Sequence, residues 1–305
     1  MNSNEIVRSA QKAGIAIPAF NIPYLPMVQP VIQAVADQDC FALLEVARIE
    51  WLRGEAGGPA AVMAEFRRWE RPEYVRLHLD HIPVVDEDQA RVEYLPIISE
   101  AIGLGYQSVM VDASRLKLDD NIAATRQVVE IAHAAGVPVE AELGSVLGHG
   151  DVKPPPYEEL FSAGIGFTRV EDARRFVQET GCDWLSVAVG TIHGPFANAW
   201  KDEKKPQARL KLDLVEELSQ ATGIPLVLHG GSGVRQSDLL EGVKRGIAKI
   251  NVGTEIRQPY EITLRETGSV KAAQTAVYQR TSWLIGEYFG WAGTRDRVLG
   301  NQEVR

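Results

Sequence analysis

Cysteine, excess positive charge and long apolar runs are all scarce in this sequence of 305 residues. The two cysteines, Cys40 and Cys182, lie far apart and form no metal-binding motif, so neither a disulfide framework nor a cysteine metal site is predicted. Lys and Arg total 32 against 41 Asp and Glu, a net charge of −9, which disfavours nucleic acid or an anionic membrane as a partner. The chain has no apolar run long enough to span a bilayer, and its first residues do not resemble a signal peptide. We therefore expect a cytoplasmic protein.

Short apolar runs alternate with helical patterns along the chain. The predicted strands cover residues 15–20, 41–46, 74–80, 107–111, 137–142, 184–189, 224–228 and 247–251. The sequence Asp86-Glu-Asp-Gln has capping-box spacing and predicts the start of a helix. Eight alternating units predict an α/β fold, a (β/α)₈ TIM barrel forming a single domain over residues 1–305. Residues 255–289 are expected to add C-terminal helices, and residues 290–305 a polar tail that forms an arm or a frayed end.

Polar side chains follow six of the predicted strands, at the end where the active sites of such barrels lie. These side chains are Asp80 and His81, Asp112, Glu142, His193, His229 and Asn251. One Asp-His pair at a strand end is more often a satisfied core hydrogen bond than a functional site. Three imidazoles from separate strands, however, can converge on one Zn²⁺ and leave an open position for substrate. Their common placement predicts a catalytic metal site.

A glycine-rich turn after the seventh strand gives a second signal. Gly230-Gly231-Ser232-Gly233 lets backbone N–H groups approach an anion, although the simplest interpretation of such a turn is tight geometry alone. The next strand ends in Asn251-Val252-Gly253-Thr254, and a helix is predicted to begin there. Because the loops after strands seven and eight are the usual phosphate site of these barrels, the pair of loops predicts phosphate binding.

These residues lie in motifs that resemble the class II, zinc-dependent fructose-bisphosphate and tagatose-bisphosphate aldolase family. The motifs are His78-Leu-Asp-His81, Val109-Met-Val-Asp-Ala-Ser114, Glu140-Ala-Glu-Leu-Gly144, Gly190-Thr-Ile-His-Gly194, Leu228-His-Gly-Gly-Ser-Gly233 and Lys249-Ile-Asn-Val-Gly-Thr254. The resemblance implies that His81, His193 and His229 hold a catalytic zinc or another divalent ion. It further implies that Asp80 is the acid/base on the hydroxyl that becomes the aldehyde.

The same resemblance implies further ligands and partners. Asp112 and Glu142 match carboxylates that take an alternative metal position in the family. A small phosphorylated sugar is the implied substrate, Na⁺ or K⁺ is implied beside its phosphate, and a homodimer or homotetramer is expected. The residues that match the site for dihydroxyacetone phosphate are Asn21, Gly194, Gly230, Gly231, Ser232, Asn251, Val252, Gly253 and Thr254.

The chain departs from the family pattern in the substrate region. The loop after Glu142 reads Leu147-Gly-His-Gly-Asp151 instead of an acidic run, which leaves His149 as the candidate base for the carbon-bound proton and Asp151 as its alternative. The end of the second strand reads Leu44-Glu-Val-Ala47, where the family tends to have a serine, and Gly253 stands where Asn or Asp is usual. Arg115 replaces a common His, and with Arg48 it is a candidate contact for a carboxylate or a second phosphate.

We therefore expect a zinc aldolase that cleaves a ketose 1-phosphate or 1,6-bisphosphate reversibly to dihydroxyacetone phosphate and an aldehyde. Two alternatives remain open. The first is a non-catalytic relative or subunit that binds a metal and a sugar phosphate, which the altered loop favours. The second is a metal-dependent sugar-phosphate isomerase or epimerase, because stabilisation of an enediolate by a metal serves those reactions as well.

Overall fold

The strands close into a single parallel barrel. This computed structural model describes residues 1–144, 157–191, 207–231 and 233–300. Its strands pair in sequence order, and β8 pairs with β1, which confirms the (β/α)₈ prediction. They are β1 Ile17–Asn21, β2 Ala42–Ala47, β3 Val75–Pro83, β4 Ser108–Asp112, β5 Val139–Leu143, β6 Trp184–Val187, β7 Leu226–Leu228 and β8 Ile247–Val252.

Helices follow the strands and cover the outside of the barrel. Buried apolar side chains, among them Phe66, Val128, Phe176 and Leu218, belong to the core cluster that the helices share with the barrel. The helices are α1 Ser3–Lys12, α2 Val28–Asp37, α3 Arg48–Leu52, α4 Pro59–Trp69, α5 Tyr94–Leu104, α6 Leu118–Ala134, α7 Tyr157–Ala163, α8 Val170–Thr180, α9 Leu212–Thr222, α10 Gln236–Lys244, α11 Thr254–Thr267, α12 Val270–Trp283 and α13 Arg295–Val298, with a 3₁₀ segment at Leu25–Met27 and a π-helical segment at Leu284–Phe289.

The helix predicted to start at Asp86 does not form there. The Asp86 carboxylate instead accepts the backbone N–H groups of Asp88 and Ala90, and Gln89 has a φ of 61°. These hydrogen bonds close a turn, in which Asp satisfies nearby backbone donors without a helix. Helix α5 begins only at Tyr94.

The C-terminal segment is packed against the barrel up to residue 300. Trp291 and Val298 are buried, and the Trp291 ring stacks on Phe289 with the ring centroids 4.4 Å apart. The Gly293 N–H also donates to the carbonyl of Gln38. Of the predicted arm or frayed end, residues 290–300 are packed, because spaced apolar residues anchor a segment that is polar on average. Residues 301–305 lie outside the described residues. None of the helices that the structure describes is long and apolar enough to cross a membrane.

Several polar side chains point into the barrel in a fixed register. Because strand residues two apart face the same side, His78 and Asp80 of β3 share a face, as do Glu140 and Glu142 of β5 and Lys249 and Asn251 of β8. The side chains at the first position of each pair are fully buried. The second positions lie nearer the carboxyl ends of the strands, where a site can open to substrate.

The close packing at Gly246, just before β8, can be tested by substitution. Its φ is +126°, and a Cβ there would lie 2.2 Å from Ser219 Oγ. We expect Gly246→Ala to lower the free energy of unfolding by about 3 kcal/mol, because backbone strain and a forced overlap add. Gly136→Ala is the matched control: φ is +72° with no heavy atom within 4 Å of the added Cβ, so about 1 to 2 kcal/mol is expected. Urea denaturation measures both, and equal losses would contradict the close contact.

Candidate metal centre and its charge network

A backbone irregularity in β3 brings two successive side chains to one site. The pairing of β3 with β4 shifts register between Leu79 and Ile82, and His81 has a φ of 32°. In a regular strand His81 would point away from the side that Asp80 faces. A positive φ is uncommon for a residue other than glycine and is typical of functional positions. Here it lets both side chains reach the interior.

His81 and His229 lie beside two carboxylates. His81 Nδ1 is 3.2 Å from Asp112 Oδ2 and 3.9 Å from Glu142 Oε2. His229 Nδ1 is 3.2 Å from the same Glu142 oxygen, and the two imidazole centroids are 4.4 Å apart. The ligand atoms of Asp80, His81 and His229 lie within 4.8 Å of one another, and so do those of His81, Asp112 and Glu142. Imidazole and carboxylate groups at this spacing suit a divalent cation such as Zn²⁺.

Glu140 orients the His229 ring from below. Its Oε1 lies 2.8 Å from His229 Nε2, so this nitrogen donates and Nδ1 faces Glu142. A carboxylate that accepts from the second nitrogen of a histidine fixes the tautomer for metal binding. Burial and the nearby His81 lower the pKa of His229, but its hydrogen bonds to Glu140 and Glu142 raise that pKa to about 9. A metal ion would therefore replace a proton here.

The surroundings of His81 also favour positive charge. Burial alone would lower the pKa of this imidazole, but Asp80, Asp112 and Glu142 raise it well above its usual value. The reverse holds for Asp112: burial would raise its pKa, and the hydrogen bonds from His81 and Ser114 hold it well below the usual range. The site thus stabilises a positive charge, as a protonated imidazole or as a bound cation.

Two asparagine amides hold the Asp80 carboxylate. Asn21 Nδ2 donates to Oδ2 at 3.0 Å, and Asn251 Nδ2 donates to Oδ1 at 3.1 Å. Asp80 is buried, which would raise its pKa, but His81 and Lys249 lower the pKa below its usual value. Gly253 belongs to this arrangement, since a Cβ there would lie only 3.3 Å from Asn21 Oδ1. The carboxylate is therefore ionised and fixed beside the histidines.

A buried lysine balances the acidic groups beneath the site. Lys249 Nζ lies 2.9 Å from Glu140 Oε2, 3.0 Å from Glu45 Oε2 and 2.7 Å from Asn251 Oδ1. Burial would lower the pKa of Lys249, but Glu140 and Glu45 raise it above the usual value, so the ammonium stays charged. Burying carboxylates without such a partner would cost several kcal/mol or so.

A second cluster of metal-binding residue types lies below this centre. The ligand atoms of Glu45, His78 and Asp80 also lie within 4.8 Å of one another. Lys249 already supplies a cation to Glu45, and burial together with Lys249 lowers the pKa of His78 to about 3, which keeps that imidazole neutral. His78 Nδ1 is 2.8 Å from the Ser108 hydroxyl. This cluster is therefore a structural network of the protein and not a second metal site.

The structure brings together some of the predicted site residues. Asp80, His81, His229, Asp112, Glu142, Asn21 and Asn251 form one connected site. Gly230 has a φ of +66°, and a Cβ on Gly231 would lie 2.5 Å from Ile250 Cγ2, so the turn after β7 requires glycine. Val252 ends β8, Gly253 is the N-cap of α11, and Thr254 is the first residue of that helix. His149, Asp151, His193, Gly194 and Ser232 lie outside the described residues, and their roles stay predictions.

The roles of Glu140 and Lys249 were missed by the sequence reasoning. Both residues sit in quoted motifs, two positions before a predicted site residue: Glu140 before Glu142, and Lys249 before Asn251. Because a strand repeats every two residues, each had to share a face with its partner. A charged residue inside an apolar strand such as Ile-Ala-Lys-Ile is the signal that could have found Lys249.

The fold and the site together define a TIM-barrel protein with a candidate metal centre at the carboxyl ends of its strands. The family model for class II fructose-bisphosphate aldolase matches residues 1–289. The chain therefore belongs to this family. The family is metal-dependent, and membership in it supports an aldolase activity for the chain.

Known proteins similar to the chain agree with this assignment. One relative, named "Probable fructose-bisphosphate aldolase", comes from Bacillus subtilis (strain 168); it is 32% identical over 273 residues, covering 89% of this chain and 87% of the relative. The crystal structure of the YdjI aldolase from Escherichia coli K12 has a TM-score of 0.73 at 26% identity, covering 95% and 98% of the two chains. A fructose-bisphosphate aldolase from Campylobacter jejuni, at 17% identity and a TM-score of 0.70 over 94% of each chain, shares the fold.

Glu140 gives a test of the centre that does not require turnover. We expect Glu140→Gln to weaken divalent metal binding by about 10- to 100-fold, because His229 loses its charged acceptor. Competition with a chromogenic chelator measures the affinity. Glu130→Gln, on the exposed face of α6, is the control and should leave it unchanged. Equal affinities in both variants would show that Glu140 does not support the metal ligand.

Proposed function

We propose that this chain is a zinc-dependent aldolase that cleaves a ketose 1-phosphate or 1,6-bisphosphate reversibly to dihydroxyacetone phosphate and an aldehyde. The observation that carries the proposal is the convergence of His81 and His229 on Glu142, directly beside the doubly held Asp80 carboxylate. His193 is proposed as the third imidazole ligand, with Asp112 and Glu142 at the alternative metal position. A Na⁺ or K⁺ ion beside the phosphate and assembly as a homodimer or homotetramer are part of the same proposal.

The chemistry needs a stabilised negative charge and a base. Cleavage of the bond between the carbons α and β to a ketone leaves an enediolate, and a divalent cation would supply the Lewis acid that stabilises this charge. A proton delivered to carbon, proposed to come from His149 or Asp151, then gives dihydroxyacetone phosphate. The Asp80 carboxylate takes the proton from the hydroxyl that becomes the aldehyde and returns it in the condensation direction. Its low pKa keeps it unprotonated before that step. Asn21 and Asn251 hold its two oxygens so that little motion is needed during proton transfer.

The phosphate is proposed to bind between the turn after β7 and the start of α11. Gly230 and Gly231 let the backbone pass close to a ligand, and the first N–H groups of α11 attract an anion. Asn251, Val252, Gly253 and Thr254 connect this anion site with the Asp80 carboxylate. Ser232 and Gly194 are proposed to complete it. We infer a sugar partner other than fructose or tagatose bisphosphate, because the end of β2 and Gly253 depart from the family pattern in the substrate region.

The direct test of function offers the protein a panel of ketose 1-phosphates and 1,6-bisphosphates. A coupled dehydrogenase detects the dihydroxyacetone phosphate that is released. Activity should disappear after treatment with a chelator and return with Zn²⁺. A zinc-bound protein that releases no dihydroxyacetone phosphate from any of these compounds would favour a non-catalytic metal- and sugar-phosphate-binding relative. Conversion without a three-carbon product would indicate an isomerase or epimerase.

Asp80→Ala separates chemistry from metal binding. We expect the variant to keep its zinc while kcat falls by about 10²- to 10⁴-fold, because the acid/base is lost. Asp88→Ala, whose side chain is 75% exposed, is the matched control and should retain full activity. Zinc content by atomic absorption and cleavage in the coupled assay check the two parts. A fully active Asp80→Ala variant would refute the assigned role.

A further inference from the structure

Lys249 lies at the junction of the charge network and the acid/base. Its side chain is completely buried, and its ammonium contacts Glu45, Glu140 and Asn251. Through Asn251 it is one hydrogen bond away from Asp80, and through Glu140 it is one hydrogen bond away from His229. Nothing in the chemistry of an aldol cleavage requires a lysine at this depth, so its placement in the site has another reason than contact with substrate.

The hydrogen bonds of Asn251 supply that reason. In the side-chain amide of asparagine, the oxygen accepts hydrogen bonds and the NH₂ group donates them. Here Oδ1 accepts from the Lys249 ammonium at 2.7 Å, and Nδ2 donates to Asp80 Oδ1 at 3.1 Å. Rotating the amide by 180° would place its oxygen against the Asp80 carboxylate and its NH₂ group against the ammonium. Both contacts would then be repulsive, so the lysine allows only one orientation.

We propose that Lys249 is a positioning residue that fixes the side-chain amide of Asn251, and through it the acid/base carboxylate of Asp80. This inference rests on the proposed function, since it assigns Asp80 a role in proton transfer. Lys249 itself does not touch substrate. Its effect on catalysis is therefore expected to pass through Asn251.

Because Lys249 neutralises two buried carboxylates, its substitution is tested in a variant that lacks one of them. Removing Lys249 alone would leave Glu45 and Glu140 without their cation, and such a variant could fail to fold. Glu45→Gln removes one acidic group and keeps the shape and an acceptor for Lys249. Gln is nearly isosteric with Glu and needs no counter-ion, so the buried position accommodates it. The kcat of the Glu45→Gln parent, measured beside the wild type, is the reference for the further changes.

A double-mutant cycle in the Glu45→Gln background measures whether Lys249 acts through Asn251. The four proteins are the Glu45→Gln parent, the parent with Lys249→Met, the parent with Asn251→Ala, and the parent with both changes. Each single change should lower kcat by about 10- to 100-fold. Both changes together should lower kcat no further than the larger single loss. Affinity for dihydroxyacetone phosphate, measured by calorimetry without an aldehyde, should show the same non-additive pattern.

Zinc content is measured for all four proteins, so that the kcat values compared are those of fully zinc-loaded protein. Multiplicative losses in the double variant, or an unchanged kcat with Lys249→Met, would overturn the proposal and leave Lys249 a structural residue. If Lys249→Met does not fold, Lys249→Gln takes its place: it keeps an N–H donor, and its loss should be smaller than that of Asn251→Ala. A wild-type protein that neither binds dihydroxyacetone phosphate nor turns over would contradict the proposed function itself, and the inference would fall with it.

Discussion

The backbone conformation at His81 is the constraint on which the rest of the site depends. Without the register shift in β3, Asp80 and His81 would face opposite sides of the strand, and a metal ligand and an acid/base could not share one centre. The positive φ of His81 has a cost in local strain, which the surrounding contacts with Asp112 and Glu142 offset. The strained residue is thus a proposed metal ligand, and its neighbour Asp80 is the proposed base.

The interior of this barrel carries charge where many barrels carry only apolar side chains. One buried ammonium, Lys249, balances Glu45 and Glu140, and Glu140 in turn orients His229. Asn251 donates a hydrogen bond to Asp80 and so connects this carboxylate to the same network. The network therefore positions His229, a proposed metal ligand, and Asp80, the proposed proton acceptor, together.

The fold was predictable because its signals are local and repeated. Eight apolar runs alternate with helical patterns, and the strands of the structure fall on those runs. Most of the candidate site was also predictable, since polar residues at strand ends must converge in a closed barrel. What the sequence could not give depends on contacts between distant residues. The turn at Asp86 replaces a predicted helix because its carboxylate binds nearby amides, and Trp291 anchors a segment that reads as polar. The positive φ at His81 has no signal in the residues around it.

Anomalous diffraction at the zinc edge, on crystals of the protein loaded with one equivalent of Zn²⁺, tests the account most directly. The account predicts one ordered ion with His81 and His229 among its ligands and the Asp80 carboxylate beside it. A stoichiometric ion bound elsewhere on the chain, or no ordered ion between these two imidazoles, would contradict it.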